Sequence, residues 1–371
     1  MQTKSLCPEC KKVIDATVYE ENGQMLLKKN CPEHGTFTDV YWSDAALYKK
    51  FAGSTGFCGS QKMSKESSIR RGFEDTYSLE DWLHNFMISP ADEALLSVTT
   101  ENSRTRKFAQ FQHDGAGVDN PITERDEGCP YDCGLCPEHK TTTVLSLIDV
   151  TNRCNQKCPV CFANAAAAGY VYEPSIEQIR EMMQLLTREK PVRNWAIQFS
   201  GGEPTVRDDL PAIIRMARDL NFIQIQIATN GIRLANSVEY CRELMGAGLH
   251  TVYLQFNGMT PEPYHHIRGF NALPTKLRAI TNCREAGIKS ITLVPTLIRG
   301  VNDDQIGDIR IMHFQDLYNI DLNRVQRCGI HYATPDGRMI PFCSYNTLHR
   351  EDVERRFSVP LDEWERSHAG R

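Results

Sequence analysis

Fourteen cysteines constrain this 371-residue chain more than any other feature, because most of them fall in tight knuckles. Cys7 and Cys10 precede Cys31 and Cys58; Cys129, Cys133 and Cys136 form a second group, Cys154, Cys158 and Cys161 a third, and Cys328 with Cys343 a fourth. Cys241 and Cys283 stand alone among apolar neighbours and read as core thiols. A reducing compartment keeps such residues as thiols unless a metal claims them, so the spacing carries the argument. The rest of the composition points to the cytoplasm. A net charge of -5 provides no basic field for nucleic acid, and no apolar run approaches the ~18 residues of a membrane helix. The opening MQTKSLCPEC lacks the apolar core of a signal peptide.

From residue 144 the sequence alternates between short apolar runs and amphipathic stretches, the rhythm of a parallel sheet wrapped by helices. Strands are expected at 144–150, 195–199, 222–228, 251–256 and 290–297. Helices are expected at 208–220, 237–247 and 273–286, and one is signalled by its cap: Ser175 with Gln178 three residues on, followed by an apolar face of Ile176, Ile179, Met182, Met183 and Leu186. The fold class is therefore α/β, with a Cys-rich metal-binding region before it and a short Cys-containing tail after it. The expected divisions are 1–60, 61–140, 141–309 and 310–371. A further helix is expected at 78–86. After Asn302 the alternation stops, and Asp336-Gly337 marks a hairpin between Cys328 and Cys343.

The run LIDVTNRCNQKCPVCFAN sets Cys154, Cys158 and Cys161 in a C-x3-C-x2-C loop just past a strand. Three thiolates this close can hold three irons of a 4Fe-4S cube and leave the fourth iron open. A ferredoxin would supply a fourth nearby cysteine, and a zinc knuckle prefers two well-separated pairs. With SGGEP after the second strand, ATNG after the third and QFNG after the fourth, this stretch resembles the radical S-adenosylmethionine (SAM) superfamily. The resemblance implies a partial (β/α) barrel, with polar strand ends at its active face. It implies SAM contacts from Ser200, Gly201, Gly202, Glu203 and Pro204, from Asn230, and from Gln255 and Asn257. Val160, where an aromatic residue is usual, would meet adenine through its backbone. It also implies that a reduced cluster passes one electron from an external reductant to SAM, giving a 5'-deoxyadenosyl radical that removes hydrogen from an inert C–H bond.

Cys129, Cys133 and Cys136 repeat the C-x3-C-x2-C spacing and suit an auxiliary 4Fe-4S cluster, with a structural zinc as the other reading. Cys7, Cys10, Cys31 and Cys58 suit a mononuclear site of rubredoxin or zinc-ribbon type, and His34 could stand in for Cys58. Spacing alone does not separate iron from zinc there. Cys328 and Cys343 could add two ligands to a further cluster.

The full set of motifs, from CPEC and CPEHG through CPYDCGLCPEHK to HFQDLYNIDLNR and IHYATPDGRMIPFC, resembles the archaeal tetraether lipid synthase family. Members are also labelled 7,8-dihydro-6-hydroxymethylpterin methyltransferases. That resemblance implies coupling of the terminal carbons of lipid alkyl chains, with peripheral membrane contact left open. The alternatives are a radical methyltransferase acting on a pterin or similar small molecule, and a non-catalytic iron-sulfur or zinc protein. One departure stands out. Where the family continues through further barrel strands, Ile309 here runs directly into Arg310, so the chain looks internally shortened.

Overall fold

Hydrophobic alternation builds the two sheets that organise the molecule. The computed structural model describes residues 1–46, 48–49, 117–118, 127–134, 139–161, 163, 165, 167–190, 193–288, 290–298, 300–302, 305 and 315–368. Cys58, Cys136 and the expected helix at 78–86 lie outside the described residues.

The first sheet is an antiparallel ribbon of β1 (Gln2–Leu6), β2 (Val13–Glu21), β3 (Gln24–Cys31) and β4 (Gly35–Trp42), paired in chain order. Ile14, Ala16 and Val18 on β2 and Met25 and Leu27 on β3 alternate inward, as a sheet with one buried face requires. Asn22 and Gly23 both take positive φ, the backbone that a two-residue hairpin turn needs. The ribbon does not float free. Ser5 Oγ donates to the Ile320 carbonyl at 2.6 Å, Lys29 Nζ to the Leu317 carbonyl at 2.7 Å, and Tyr41 OH to Asp321 Oδ2 at 3.0 Å.

Two short pairings lie outside the large sheets: β5 (Gly117–Val118) with β8 (Glu189–Lys190), and β7 (Tyr170–Tyr172) with β15 (Ser358–Pro360). The second sheet contains β6 (Leu145–Thr151), β9 (Ala196–Gly201), β10 (Gln224–Thr229), β11 (Thr251–Gln255), β12 (Ser290–Val294), β13 (Ile330–Ala333) and β14 (Met339–Pro341). Its order is β12-β11-β10-β9-β6-β13-β14, with the first five strands and β13 parallel. The five expected strands are those at one side of this order, displaced by no more than three residues at any boundary. Helices α1 (Ile176–Thr187), α2 (Leu210–Asp219), α3 (Ile232–Asn236), α4 (Val238–Ala247), α5 (Pro261–Arg268) and α6 (Leu273–Glu285) connect them. The Ser175 capping box forms in both directions, a contribution of ~1 kcal/mol.

The sheet has two chemically opposite faces. Ile148, Val150, Ile197, Phe199, Ile225, Ile227, Val252 and Leu254 pack under the helices in one core, where Cys241 and Cys283 also sit as buried thiols. The alternate positions, Asp149, Gln198, Ser200, Gln226, Tyr253 and Gln255, face the other way. Period-two alternation thus makes one dry face and one polar face.

The C-terminal region departs from the sequence expectation. The hairpin at Asp336-Gly337 forms, with Tyr332 opposite Ile340, but β13 lies parallel to β6 and so joins the main sheet. After it come helix α7 (Arg350–Arg356), the β15 strand and helix α8 (Leu361–His368). Arg350 Nη1 reaches Asp149 Oδ2 on β6 at 2.7 Å, with Tyr332 and Tyr345 stacked beside the guanidinium. Strands of three or four residues carry too little periodicity for this pairing to be read locally. Among the described residues no helix is long and apolar enough to cross a membrane.

Candidate active site

The cluster loop leaves the end of β6 and stays close to the polar face of the main sheet. Cys154 and Cys158 are partly buried and Cys161 is exposed. Burial pushes the Cys154 thiol up to about 11, reinforced by the Glu203 carboxylate and by Cys158 and Cys161. A thiol this unwilling to ionise alone is stabilised as a thiolate by a bound cation. In a cube, each of the three thiolates would bind a separate iron.

The GGEP turn is fixed by contact with the root of that loop. Gly201 has φ +124, and a Cβ there would lie 2.0 Å from the Thr151 carbonyl oxygen; one on Gly202 would lie 2.4 Å from that of Arg153. In place of side chains, Gly202 N donates to Thr151 O at 2.7 Å and Glu203 N to Arg153 O at 2.9 Å. The glycines therefore permit the turn to lie on the cluster loop itself.

Glu203 is 1% exposed, and its carboxylate accepts from Thr205 N, Thr205 Oγ1, Thr229 Oγ1 and Asn230 N at 3.2, 2.6, 2.7 and 2.6 Å. It is a brace between the GGEP turn and the ATNG loop, with its oxygens committed to protein donors. Asn230 continues the chain, its Nδ2 donating to Asn155 Oδ1 inside the cluster loop at 2.7 Å. Ser200 hydrogen-bonds Asp149, which Arg350 holds from the other side, while Pro204 opens the buried turn Pro204–Val206. Val160 presents its carbonyl to Arg268 Nη1 at 3.4 Å. Asn257 is braced by Thr296 N and Tyr264, leaving its Nδ2 without a partner.

Gln255 is different. Both its side-chain polar atoms are buried and unpartnered, as is Gln198 Oε1 two strands away. Buried amides without partners cost ~1–3 kcal/mol each, so these groups mark where a polar ligand belongs. The donor set of three cysteines and the close backbone approach at GGEP fit a 4Fe-4S cluster and SAM, while the orphaned amides face a further polar ligand.

The ribbon carries a second, tighter site. Cys7, Cys10, Cys31 and His34 present donor atoms all within 4.8 Å of one another, with Cys31 Sγ 3.5 Å from His34 Nδ1 and Cys10 Sγ 3.8 Å from Cys31 Sγ. Burial would raise the Cys31 thiol, but the His34 ring and the backbone N–H groups of Glu33 and His34 pull it down to about 6. Among the described residues His34 supplies the fourth donor.

The third cysteine group lies between these two. Cys129 packs with Leu6 and Ile320 below the ribbon, whereas Cys133 packs with Leu147 and Tyr332, its Sγ 3.3 Å from Ser344 Oγ. Residues 127–134 are therefore sandwiched between the ribbon and the C-terminal hairpin, and the Ser344 that Cys133 meets follows Cys343 in sequence.

A charged residue that sequence reasoning passed over also sits here. Lys276 on α6 is 0% exposed and donates to the Asn230 carbonyl at 2.5 Å. Its signal was present: Ala272, Lys276, Ala279, Cys283 and Ala286 form one buried helical stripe with a lysine in it.

Comparison with known proteins places these observations. Residues 148–311 match the Radical SAM superfamily, and residues 1–43 match the HMPTM N-terminal zinc ribbon domain. The 7,8-dihydro-6-hydroxymethylpterin dimethyltransferase of Methanocaldococcus jannaschii is 33% identical over an alignment covering 99% of this chain and 97% of that protein. That alignment spans 552 positions against the chain's 371 residues, so at least 181 positions are gaps on this side. The GTP 3',8-cyclase of Peptoclostridium acidaminophilum is 30% identical over 43% of this chain and 49% of its own length. Among solved structures, Streptococcus suis SuiB bound to SAM is 16% identical with a TM-score of 0.35, covering 40% of this chain and 33% of that one.

Proposed function

Since the chain belongs to the radical SAM family that includes the M. jannaschii 7,8-dihydro-6-hydroxymethylpterin dimethyltransferase, and is therefore a radical SAM enzyme, we propose that it methylates a pterin-like heterocycle. Cys154, Cys158 and Cys161 would hold the 4Fe-4S cluster. Bound there, cluster and SAM supply reductive carbon–sulfur cleavage and hydrogen abstraction from an unactivated C–H bond. Glu203 and Asn230 keep the GGEP turn, the ATNG loop and the cluster loop in one arrangement, so that the reacting carbon is positioned rather than merely bound.

The observation that carries the choice of substrate is the polar inner face. Gln255 and Gln198 hold unpartnered amide atoms, which a ring with nitrogen, carbonyl and amino edges can satisfy and an alkyl chain cannot. The near full-length kinship to a protein named for pterin methylation supports the same reading over lipid coupling. The ribbon tetrad is assigned to zinc: a histidine donor among three thiolates suits that ion, and the matching ribbon family carries it in its description. Cys129, Cys133 and Cys136 are assigned to an auxiliary cluster.

The test is anaerobic reconstitution with iron and sulfide, then turnover with dithionite, SAM and 6-hydroxymethyl-7,8-dihydropterin, in parallel with an archaeal diether lipid. The expected products are 5'-deoxyadenosine with methionine, and a methylated pterin whose methyl group comes from a second SAM with release of S-adenosylhomocysteine. Tetraether formation with unmodified pterin would overturn the substrate assignment in favour of alkyl coupling.

A further inference from the structure

A fully buried lysine needs a reason. Lys276 Nζ has the Asn230 carbonyl as its hydrogen-bond partner, and among the described residues no carboxylate forms a direct ion pair with it. Removing an ammonium from water costs several kcal/mol unless negative charge nearby compensates. Burial lowers its affinity for a proton, toward about 8, and the neighbouring Arg268 lowers it further; the Glu203 carboxylate and the thiols of Cys158 and Cys154 act the opposite way.

Arg268 adds to the problem rather than solving it. It ends α5, reaches the Val160 carbonyl within the cluster loop and Thr296 Oγ1, each at 3.4 Å, and keeps a buried, unpartnered Nε. Two cations on adjacent helices that repel one another are tolerated when substantial negative charge lies beside both. The feature they share is the cluster loop: Lys276 feels Cys154 and Cys158, and Arg268 bonds the residue between Cys158 and Cys161.

We infer that Lys276 and Arg268 are the electrostatic counterweight of the cluster, raising its reduction potential by charge rather than by contact. The inference rests on Cys154, Cys158 and Cys161 being the cluster's ligands. Taking up one electron from the reductant adds one negative charge to the cluster, with no bond made or broken. A fixed positive charge favours the reduced form by Coulomb attraction in a weakly screened interior. Lys276 is thus a positioning residue twice over: it holds the Asn230 carbonyl, and through its charge it eases electron entry.

The experiment is an EPR-monitored redox titration of the full chain, reconstituted anaerobically and assayed for iron and sulfide. It is read on the signal that responds to SAM. Lys276→Met, at full iron content, is expected to be about tenfold less reduced at a fixed potential, a midpoint about 59 mV lower for a one-electron couple. Lys276→Arg keeps the charge and should hold the parent midpoint. Arg268→Gln, at a partly exposed position, should shift the midpoint the same way by less, and it carries the test alone if Lys276→Met does not fold. An unmoved midpoint in a fully loaded Lys276→Met or Arg268→Gln overturns the inference, as does a Lys276→Arg shift equal to that of Lys276→Met. A parent protein that binds no iron would instead refute the ligand assignment beneath it.

Discussion

The ribbon site and the barrel site use the same side chain to opposite ends. In the ribbon, Cys7, Cys10, Cys31 and His34 converge from two turns until their donors fit around one ion. At the barrel, three cysteines on one loop grade from half-buried Cys154 to exposed Cys161, and the neighbouring polar groups are left without partners. A closed set of four donors stabilises a fold, whereas an open set of three leaves a place for chemistry. The contrast extends to the scaffold. The ribbon encloses a small apolar core, whereas the barrel sheet packs on a large one.

The sharpest way to break this comparison is to remove one ligand from each site. Cys154→Ala should abolish release of 5'-deoxyadenosine while the ribbon keeps its metal; retained turnover would contradict the open-site reading. His34→Ala should weaken ribbon metal affinity by at least the ~10–100-fold that even outer-shell changes cost. Chelation should then expose residues 1–43 to hydrogen exchange with the barrel still protected. Equal loss of protection in both regions would mean that the two do not fold separately.

Smaller effects test how the barrel site is braced. Glu203→Ala strands the hydroxyls of Thr205 and Thr229 and the Asn230 amide, and is expected to cost on the order of 3 kcal/mol by denaturant titration, with SAM affinity falling alongside. Glu189 offers a pH test away from the site. Burial raises its carboxyl from 4.5 to about 7, although Thr143 donates to it. Between those values the folded chain keeps a proton that the unfolded chain loses. Stability from this group therefore declines as pH rises, by at most about 1.4 kcal/mol per unit. Glu189→Gln should remove that component, and a parallel pH profile in the variant would show the carboxyl to be ordinary. The smallest effect has the most informative sign. Gln255→Leu should gain ~1 kcal/mol of stability by removing an unpartnered buried amide, yet weaken binding of the heterocycle. A stability loss would mean that the amide is already satisfied.

Much of this site was legible in the sequence because its chemistry is local. Cys154, Cys158 and Cys161 lie within one loop, the GGEP glycines mark a close backbone approach, and Ser175 with Gln178 announces a helix start. What escaped is set by contacts distant in sequence. The pairing of β13 with β6 joins Tyr332 to Leu147 without any local signature, and it turned an expected tail into part of the barrel sheet. Arg350 reaching Asp149 is invisible for the same reason. Lys276 stood in a buried stripe that periodicity could have flagged. The role of Glu203 as a brace depends on two loops meeting, which no motif states. An alignment far longer than the chain shows that it is shorter than the M. jannaschii relative.

The proposed chemistry starts from an iron left open by Cys154, Cys158 and Cys161. The EPR spectrum of the reduced, anaerobically reconstituted chain, recorded with and without SAM, reads that open position. A cluster signal that shifts on SAM addition and is lost in Cys154→Ala is expected. A signal indifferent to SAM, or zinc found on these three thiolates, would leave the radical chemistry without a starting point.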